Sequence, residues 1–233
     1  MPSGKRRIAF TRKLLGWYDK AARDLPWRRT RDPYRITVSE FMLQQTQVSR
    51  VAEYYPRFLA QFPTMERLAA ARPKAVREAW EGLGYYRRAA NLHALSRVVG
   101  KEHGGKLPDD PIELDKLPGV GPYTAGAIAT FAYERPVAAV DTNVARVIRR
   151  AFLEGAGRTE RGAQRTAPLP SPLARKIWDI AGQLVPKTGR RAWKFNQAIM
   201  ELGATVCTAR KPRCPNCPVR TACRTGRSLS STP

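Results

Sequence analysis

Cysteine is scarce in this chain, and none occurs before residue 207. The four that are present lie close together as Cys207, Cys214, Cys217 and Cys223. No cysteine stands elsewhere to be bridged across the fold, so a disulfide framework is excluded as the main source of stability. The clustering favours a metal site instead.

Long apolar runs are also missing. No stretch approaches the roughly 20 residues of a membrane span. The basic, amphipathic start MPSGKRRIAFTRKLLGWYDK has neither a signal-peptide core nor a small-residue cleavage site. We therefore expect a soluble, intracellular protein with no membrane partner: cytoplasmic, and associated with the nucleoid if the source is bacterial or archaeal.

Acidic residues are few. Asp and Glu number 19 against 42 Lys and Arg, which gives a net charge of +23 and a pI near 10.8. Such an excess suits a polyanionic partner such as nucleic acid, although a solvated basic surface would give the same number. With 42% hydrophobic residues the chain can still bury an ordinary core.

Sustained period-two alternation is absent, which argues against strands. Apolar residues recur at three-and-four spacing in segments 71–80, 85–100, 123–133 and 173–185, so the fold class is predicted to be all-α. A further helix is predicted to run without a break from Ile36 to Tyr55, with Gln45 on its apolar stripe. The Pro- and Gly-rich segment 155–172 is the best linker candidate.

The cysteines are separated by six, two and five residues. Four thiolates suit a [4Fe–4S] cluster or a tetrahedral zinc ion. Zinc ribbons usually present two symmetric close pairs, so this spacing favours the cluster.

Three other stretches carry polar or glycine residues in unusual places. In LPGVGPYTAGAIA, Gly119 and Gly121 precede a helix and could present backbone N–H groups to a phosphate, or simply turn a corner. In AVDTNVARVIRR, Asp141 has the position of an N-cap, which is also its simplest explanation. In SEFMLQQTQV, Gln45 would be buried, so it requires either a polar network or a ligand.

Together these segments resemble the helix-hairpin-helix DNA glycosylases with an iron–sulfur cluster, and most closely the MutY-type adenine glycosylases. The resemblance runs from about residue 8 to residue 224. The matching motifs are PWR (26–28), SEFMLQQTQV (39–48), GLGYYRRAANLH (82–93), LPGVGPYTAGAI (117–128), VDTNVARV (140–147), FNQAIMELGATVC (195–207) and the four-cysteine loop.

The resemblance implies a two-lobed fold that bends DNA and flips the target nucleotide out of the stack. Residues 1–29 and 136–224 would form a helical lobe with the iron–sulfur loop. Residues 30–135 would form a six-helix lobe with the helix-hairpin-helix, and residues 225–233 a flexible tail.

The resemblance also implies the chemistry. Glu40 would protonate adenine as a general acid, and Asp141 would stabilise the sugar cation, supported by Asn143 and Tyr123. Related bifunctional enzymes such as endonuclease III place a lysine nucleophile where this chain has Tyr123, so the resemblance implies base removal without lyase cleavage.

The remaining site residues are likewise implied by the resemblance. They comprise an adenine pocket, a wedge that touches the opposite base, a phosphate-binding turn and the ligands of a [4Fe–4S] cluster. In that order they are Trp27, Arg28 and Gln197; Gln45, Thr46, Leu83 and Tyr85; Gly119, Val120 and Gly121; and Cys207, Cys214, Cys217 and Cys223.

The expected partner is double-stranded DNA with a mismatch, namely adenine opposite 8-oxoguanine or guanine, and the expected state is a monomer. We expect the chain to lack the C-terminal domain, similar to the Nudix hydrolases, of MutY-type enzymes, which bears on 8-oxoguanine discrimination. Thr142 stands where many members have glycine. The alternatives are a mismatch thymine/uracil glycosylase, which also has tyrosine at the position of Tyr123, and a non-catalytic iron–sulfur DNA-binding protein.

Overall fold

A computed structural model of the protein describes residues 3–153 and 171–228. Among them every regular element is helical and no strand occurs, which confirms the all-α prediction. No helix in these ranges is both long and apolar enough to cross a membrane. Most of the predicted linker, residues 155–170, lies outside the described residues.

The chain divides into two compact units. Asp24–Arg135 forms one unit from a single stretch of chain, here called the continuous unit. Met1–Arg23 and Pro136–Pro233 form the other, here called the composite unit. The lobe boundary between residues 29 and 30 that the sequence suggested stays a prediction.

The continuous unit contains seven α-helices and one 3-10 turn. The turn is Pro26–Arg28, and the helices are α2 Pro33–Leu43, α3 Val48–Gln61, α4 Met65–Ala69, α5 Pro73–Ala79, α6 Arg87–Glu102, α7 Pro111–Asp115 and α8 Pro122–Tyr133. Several begin with proline at the first helical position, where a missing N–H costs nothing. Asp32, Thr64 and Asp110 each cap a helix by accepting a backbone N–H.

Helix α2 lies at the centre of the continuous unit. Eight of its 11 residues are buried, since it packs against α8, α3 and α6. Small residues on α8, including Ala125, Gly126 and Ala129, are buried and leave room for α2 to approach closely. A residue on α2 therefore enters the core whether its side chain is apolar or not, which explains the burial of Glu40.

The composite unit joins helix α1, Gly4–Ala21, to elements from the second half of the chain. These are α9 Thr142–Ile148, a π-helical turn Arg149–Leu153, α10 Pro172–Leu184, α11 Gly189–Thr205, 3-10 turns Cys214–Asn216 and Arg220–Ala222, and α12 Arg224–Ser228. Phe10, Leu14 and Tyr18 of α1 enter the same core as α9, α10 and α11. Part of the predicted flexible tail is thus helical, and residues 229–233 lie outside the described residues.

The predicted unbroken helix from Ile36 to Tyr55 is wrong. Helix α2 ends at Leu43 and α3 begins at Val48. Between them Gln45 adopts a left-handed backbone with φ of 58° and is exposed. The apolar residues on both sides are spaced as in one helix, so periodicity alone gave no sign of the break. Gln45 consequently needs no buried polar network.

Candidate functional site

Glu40 and Tyr123 meet inside the continuous unit. Glu40 lies on α2 and is only 4% exposed, while Tyr123 is the second residue of α8. The Tyr123 hydroxyl donates to Oε2 of Glu40 at 2.8 Å. Packing of α2 on α8 therefore brings together a buried carboxyl and a hydroxyl donor from residues 83 positions apart. A buried carboxyl is available for proton transfer, and position 123 offers an O–H in place of a nucleophilic amine.

Asp141 is the N-cap of α9 in the composite unit, as its sequence position predicted. Its Oδ1 accepts the Val144 N–H at 2.6 Å, and its Oδ2 accepts from Nδ2 of Asn143 at 2.9 Å. Burial raises the pKa of Asp141, while these two hydrogen bonds and the charge of Arg146 oppose the rise. Both donors favour the charged carboxylate. Capping and electrostatic function are compatible here, because the capping hydrogen bonds themselves favour the ionised carboxylate.

Arg146 connects Asn143 to the cysteine region. Its Nη2 donates to Oδ1 of Asn143 at 2.7 Å and to the Gly203 carbonyl at 2.8 Å, and its Nε donates to the Cys207 carbonyl at 2.8 Å. At Gly203 a Cβ would lie 2.7 Å from Cβ of Asn143, so only glycine permits this approach of α11 to α9. Sequence reasoning did not select Arg146. Its position three residues after Asn143, on the same helix face, was the available signal.

All four cysteines line one cavity of the composite unit. Arg150 contacts this region, since its Nη1 lies 3.5 Å from Sγ of Cys207 and also donates to the Thr208 carbonyl at 2.7 Å. Burial raises the pKa of Cys214 and Cys223, and raises that of Cys217 to about 12. Without a metal these three thiols therefore stay protonated at neutral pH, and a metal would have to displace their protons.

The donor set can be tested against the predicted cluster. Among the described residues no three His, Cys, Asp or Glu side chains come close enough together to hold a single metal ion. The four cysteines do line one cavity, and the [4Fe–4S] cluster stays a prediction.

The predicted opposite-base wedge lies on two neighbouring segments of the continuous unit. Gln45 and Thr46 lie between α2 and α3, and Leu83 and Tyr85 lie in the turn before α6. Tyr85 is 60% exposed and Leu83 is buried. Like Gln45, Tyr85 has a left-handed backbone, with φ of 48°.

Arg88 joins these two segments, and sequence reasoning did not select it. The guanidinium donates to the Thr46 hydroxyl at 3.0 Å and to the Leu83 carbonyl at 3.2 Å. Two adjacent arginines on a basic helix carry no pattern that identifies one of them as buried. Only the structure separates the buried Arg88 from the exposed Arg87.

The predicted base-pocket residues lie in both units. In the continuous unit Trp27 is buried and packs edge-on against Tyr55, with ring centroids 5.7 Å apart. Arg28 follows it in the same 3-10 turn and is half-buried. Gln197 is buried on α11 of the composite unit. The roles of these three residues stay predictions.

The turn between α7 and α8 forms the predicted hairpin. Gly119 has φ of 75°, and a Cβ there would lie 2.6 Å from Cβ of Asn91, so this position requires glycine. Gly121 has extended backbone and open space around it, so glycine is not required there. The Val120 N–H already donates to the Leu117 carbonyl at 3.1 Å. Of the three predicted phosphate-binding amides, those of Gly119 and Gly121 are the better placed to serve.

Comparison with known proteins agrees with this architecture. Residues 38–170 match the family described as HhH-GPD superfamily base excision DNA repair protein. The chain is 45% identical over 225 residues to the adenine DNA glycosylase of Rattus norvegicus, covering 93% of this chain and 41% of the rat protein. It is 46% identical over 218 residues to the adenine DNA glycosylase of Mycobacterium tuberculosis, covering 93% and 67% of the respective chains.

A solved structure is also similar. A thermostable thymine-DNA glycosylase superimposes with a TM-score of 0.82 at 30% sequence identity, over 96% of this chain and 97% of that one. The chain spans about two fifths of the length of the rat relative. The region that matches the family, residues 38–170, nevertheless covers more than half of this chain. On these findings the chain belongs to the HhH-GPD superfamily of base excision DNA repair proteins.

Proposed function

We propose that the protein is a monofunctional DNA glycosylase that removes adenine mispaired with 8-oxoguanine or guanine by hydrolysing the N-glycosidic bond. The partner is double-stranded DNA, which suits the net charge of +23. Identities of 45% and 46% to two adenine DNA glycosylases support adenine as the base.

The hydrogen bond between Tyr123 and Glu40 carries this proposal. It holds a buried carboxyl in one orientation at 2.8 Å without a competing amine at position 123. Glu40 then donates its proton to a ring nitrogen of the flipped adenine, which turns the base into a neutral leaving group. A positioned general acid contributes about 10²–10⁴-fold to the rate.

Asp141 complements Glu40 by staying charged. As the bond to adenine breaks, positive charge develops on the sugar, and a carboxylate stabilises that charge electrostatically. The hydrogen bonds from Asn143 and Val144 favour the ionised form against the cost of burial. The two carboxyl groups therefore have opposite protonation requirements and different surroundings.

The remaining assignments follow the same proposal. Trp27, Arg28 and Gln197 recognise the adenine. Gln45, Thr46, Leu83 and Tyr85 read the opposite base, and the turn at Gly119–Gly121 binds a phosphate. Arginine and lysine elsewhere on the surface contribute affinity that falls with salt.

We further propose a [4Fe–4S] cluster held by Cys207, Cys214, Cys217 and Cys223. The support is their arrangement around one cavity and their spacing along the chain. When bound, such a cluster cross-links the loop through four thiolates and can exchange a single electron. Arg150, next to Cys207, would offset part of its negative charge.

The likeness to a thymine-DNA glycosylase structure makes thymine or uracil removal the second candidate. One experiment separates the two. Single-turnover base release is measured at stated salt on duplexes carrying A opposite 8-oxoguanine, A opposite G, T opposite G and U opposite G. Release of adenine supports the proposal, and release of only thymine or uracil replaces it with the second candidate. Release of no base at all would favour a non-catalytic DNA-binding protein.

A trapping experiment on the same samples tests the monofunctional mechanism. Borohydride reduces the imine that an amine nucleophile forms with the sugar, and so fixes enzyme to DNA. With Tyr123 in place we expect base release without trapping. The matched variant Tyr123→Lys supplies the amine, and covalent trapping in the unchanged protein would refute the proposed mechanism.

A further inference from the structure

We propose that Arg88 is a positioning residue for opposite-base specificity, because its one guanidinium holds both segments of the wedge in a fixed relation. The inference rests on the proposed function, because that function assigns Gln45, Thr46, Leu83 and Tyr85 to reading the opposite base. Arg88 itself is only 7% exposed, so it acts through the residues that it contacts.

The Nη1 group of Arg88 caps the C-terminal end of α2. Nη1 donates to the carbonyls of Phe41 at 2.9 Å, Met42 at 2.7 Å and Gln44. These carbonyls belong to or follow the last turn of the helix, where partners inside the helix are missing and the dipole favours a cation. The same contacts fix the point at which the chain leaves α2 for Gln45.

The Nη2 group of Arg88 reaches the second segment of the wedge. Nη2 donates to the Thr46 hydroxyl at 3.0 Å, the Leu83 carbonyl at 3.2 Å and the Gly84 carbonyl at 3.1 Å. The guanidinium also lies over the rings of Trp80 and Tyr85, with its carbon 5.5 Å from each centroid. A single side chain thus contacts both segments by hydrogen bonds and lies over the exposed ring of Tyr85.

The backbone on both sides of Arg88 is held in a rare conformation. Among the described residues only Gln45, Tyr85 and Glu134 combine a side chain with positive φ. Two of these three directly follow a carbonyl that Arg88 binds. Such conformations persist where the surroundings over-determine them, and they concentrate at binding sites. The contacts of Arg88 supply that constraint for Gln45 and Tyr85 together.

Ion pairing does not explain why an arginine is buried at position 88. No carboxylate lies within ion-pair distance of it among residues 3–153 and 171–228. Its acceptors are carbonyls and one hydroxyl, spread around a planar fork that the compact ammonium of lysine cannot reproduce. The planar geometry of its donors therefore accounts for these contacts, and Arg88→Lys is a sharp test.

The experiment compares Arg88→Lys and Arg88→Met with Arg87→Lys and Arg87→Met, the exposed neighbour on the same helix. Dissociation constants are measured, below each variant's melting temperature, for duplexes with a stable abasic-site analogue opposite 8-oxoguanine, G, C or T. Discrimination is the ratio of the weakest to the tightest dissociation constant among the four opposite bases. We expect both Arg88 variants to lower this ratio by about tenfold or more, which is the effect of losing one base contact. Arg87 variants shift all four constants together, since phosphate contacts carry no sequence information.

An unchanged ratio in a folded Arg88→Lys protein overturns the inference, as does a parallel loss of affinity for all four duplexes. A ratio near one in the unchanged protein overturns it too, because no discrimination would then exist to be supported. If neither of these Arg88 variants folds, Arg88→Gln replaces them, since its neutral amide can keep a hydrogen bond to a carbonyl while the four wedge residues stay unchanged. Base release plays no part in these measurements, so failure of the proposed adenine activity is detected separately.

Discussion

Replacing Glu40 by glutamine isolates the proton from the rest of the site. Glutamine has nearly the same shape, and its side-chain carbonyl can still accept the Tyr123 hydroxyl that Oε2 accepts at 2.8 Å. Packing around the 4%-exposed side chain is therefore kept, and the free energy of unfolding should change by no more than about 1 kcal/mol. The lost general acid should lower single-turnover adenine release by about 10²–10⁴-fold, which corresponds to roughly 3–5.5 kcal/mol in the barrier.

The assay measures single-turnover adenine release opposite 8-oxoguanine together with the dissociation constant for a duplex carrying an abasic-site analogue. Affinity should stay within about threefold of the unchanged protein, a difference under about 1 kcal/mol. Glu53→Gln on α3 is the matched control, because its exposed carboxylate forms only a surface pair with Arg57. A rate for Glu40→Gln within tenfold of the unchanged protein would refute the assignment of Glu40 as the acid.

Three further outcomes are expected. Asn143→Ala removes a hydrogen bond to the charged Asp141 carboxylate and should raise the pKa of Asp141 further. Asp141 loses its charge as the pH falls through that pKa, so the acid limb of the pH–rate profile should move to higher pH. An acid limb that does not move would contradict this prediction. Gly119→Ala should lower the free energy of unfolding by roughly 1–3 kcal/mol, because alanine there has a strained backbone and a steric clash. Both this variant and its control, Gly121→Ala, are measured by chemical denaturation. Equal losses of stability in the two variants would be inconsistent with the turn described. Cys217→Ser should lower iron and acid-labile sulfide per chain together with DNA affinity, and full iron content would remove Cys217 from the ligand set.

The residues with local causes were predictable from sequence. Asp141 caps a helix because an aspartate before an apolar helical segment accepts free N–H groups, and the structure places it so. The helices beginning at Pro73 and Pro122 were likewise indicated by local apolar spacing, whereas the short helix at Pro111 was not predicted. The all-α class rested on such local patterns, and it is confirmed.

Features that depend on distant contacts were not predictable. At the break between α2 and α3 the Gln44 carbonyl is bound by Arg88, which lies 44 residues further along the chain. Apolar spacing across the break still satisfied one helical period, so the pattern predicted continuity. Arg146 was not predicted for a similar reason: the carbonyls of Gly203 and Cys207 that it binds lie more than 50 residues away in the chain.

The composite unit has a consequence for how the protein is made. Arg6 of α1 donates to the carbonyl of Ala222, 216 residues later in the chain. At ordinary synthesis rates of about 5–20 residues per second, α1 waits roughly 10–40 s for these partners. During that time the continuous unit can fold on the ribosome, whereas Phe10, Leu14 and Tyr18 have no core to enter. The apolar face of α1 therefore stays unburied until the segment around Ala222 has been synthesised.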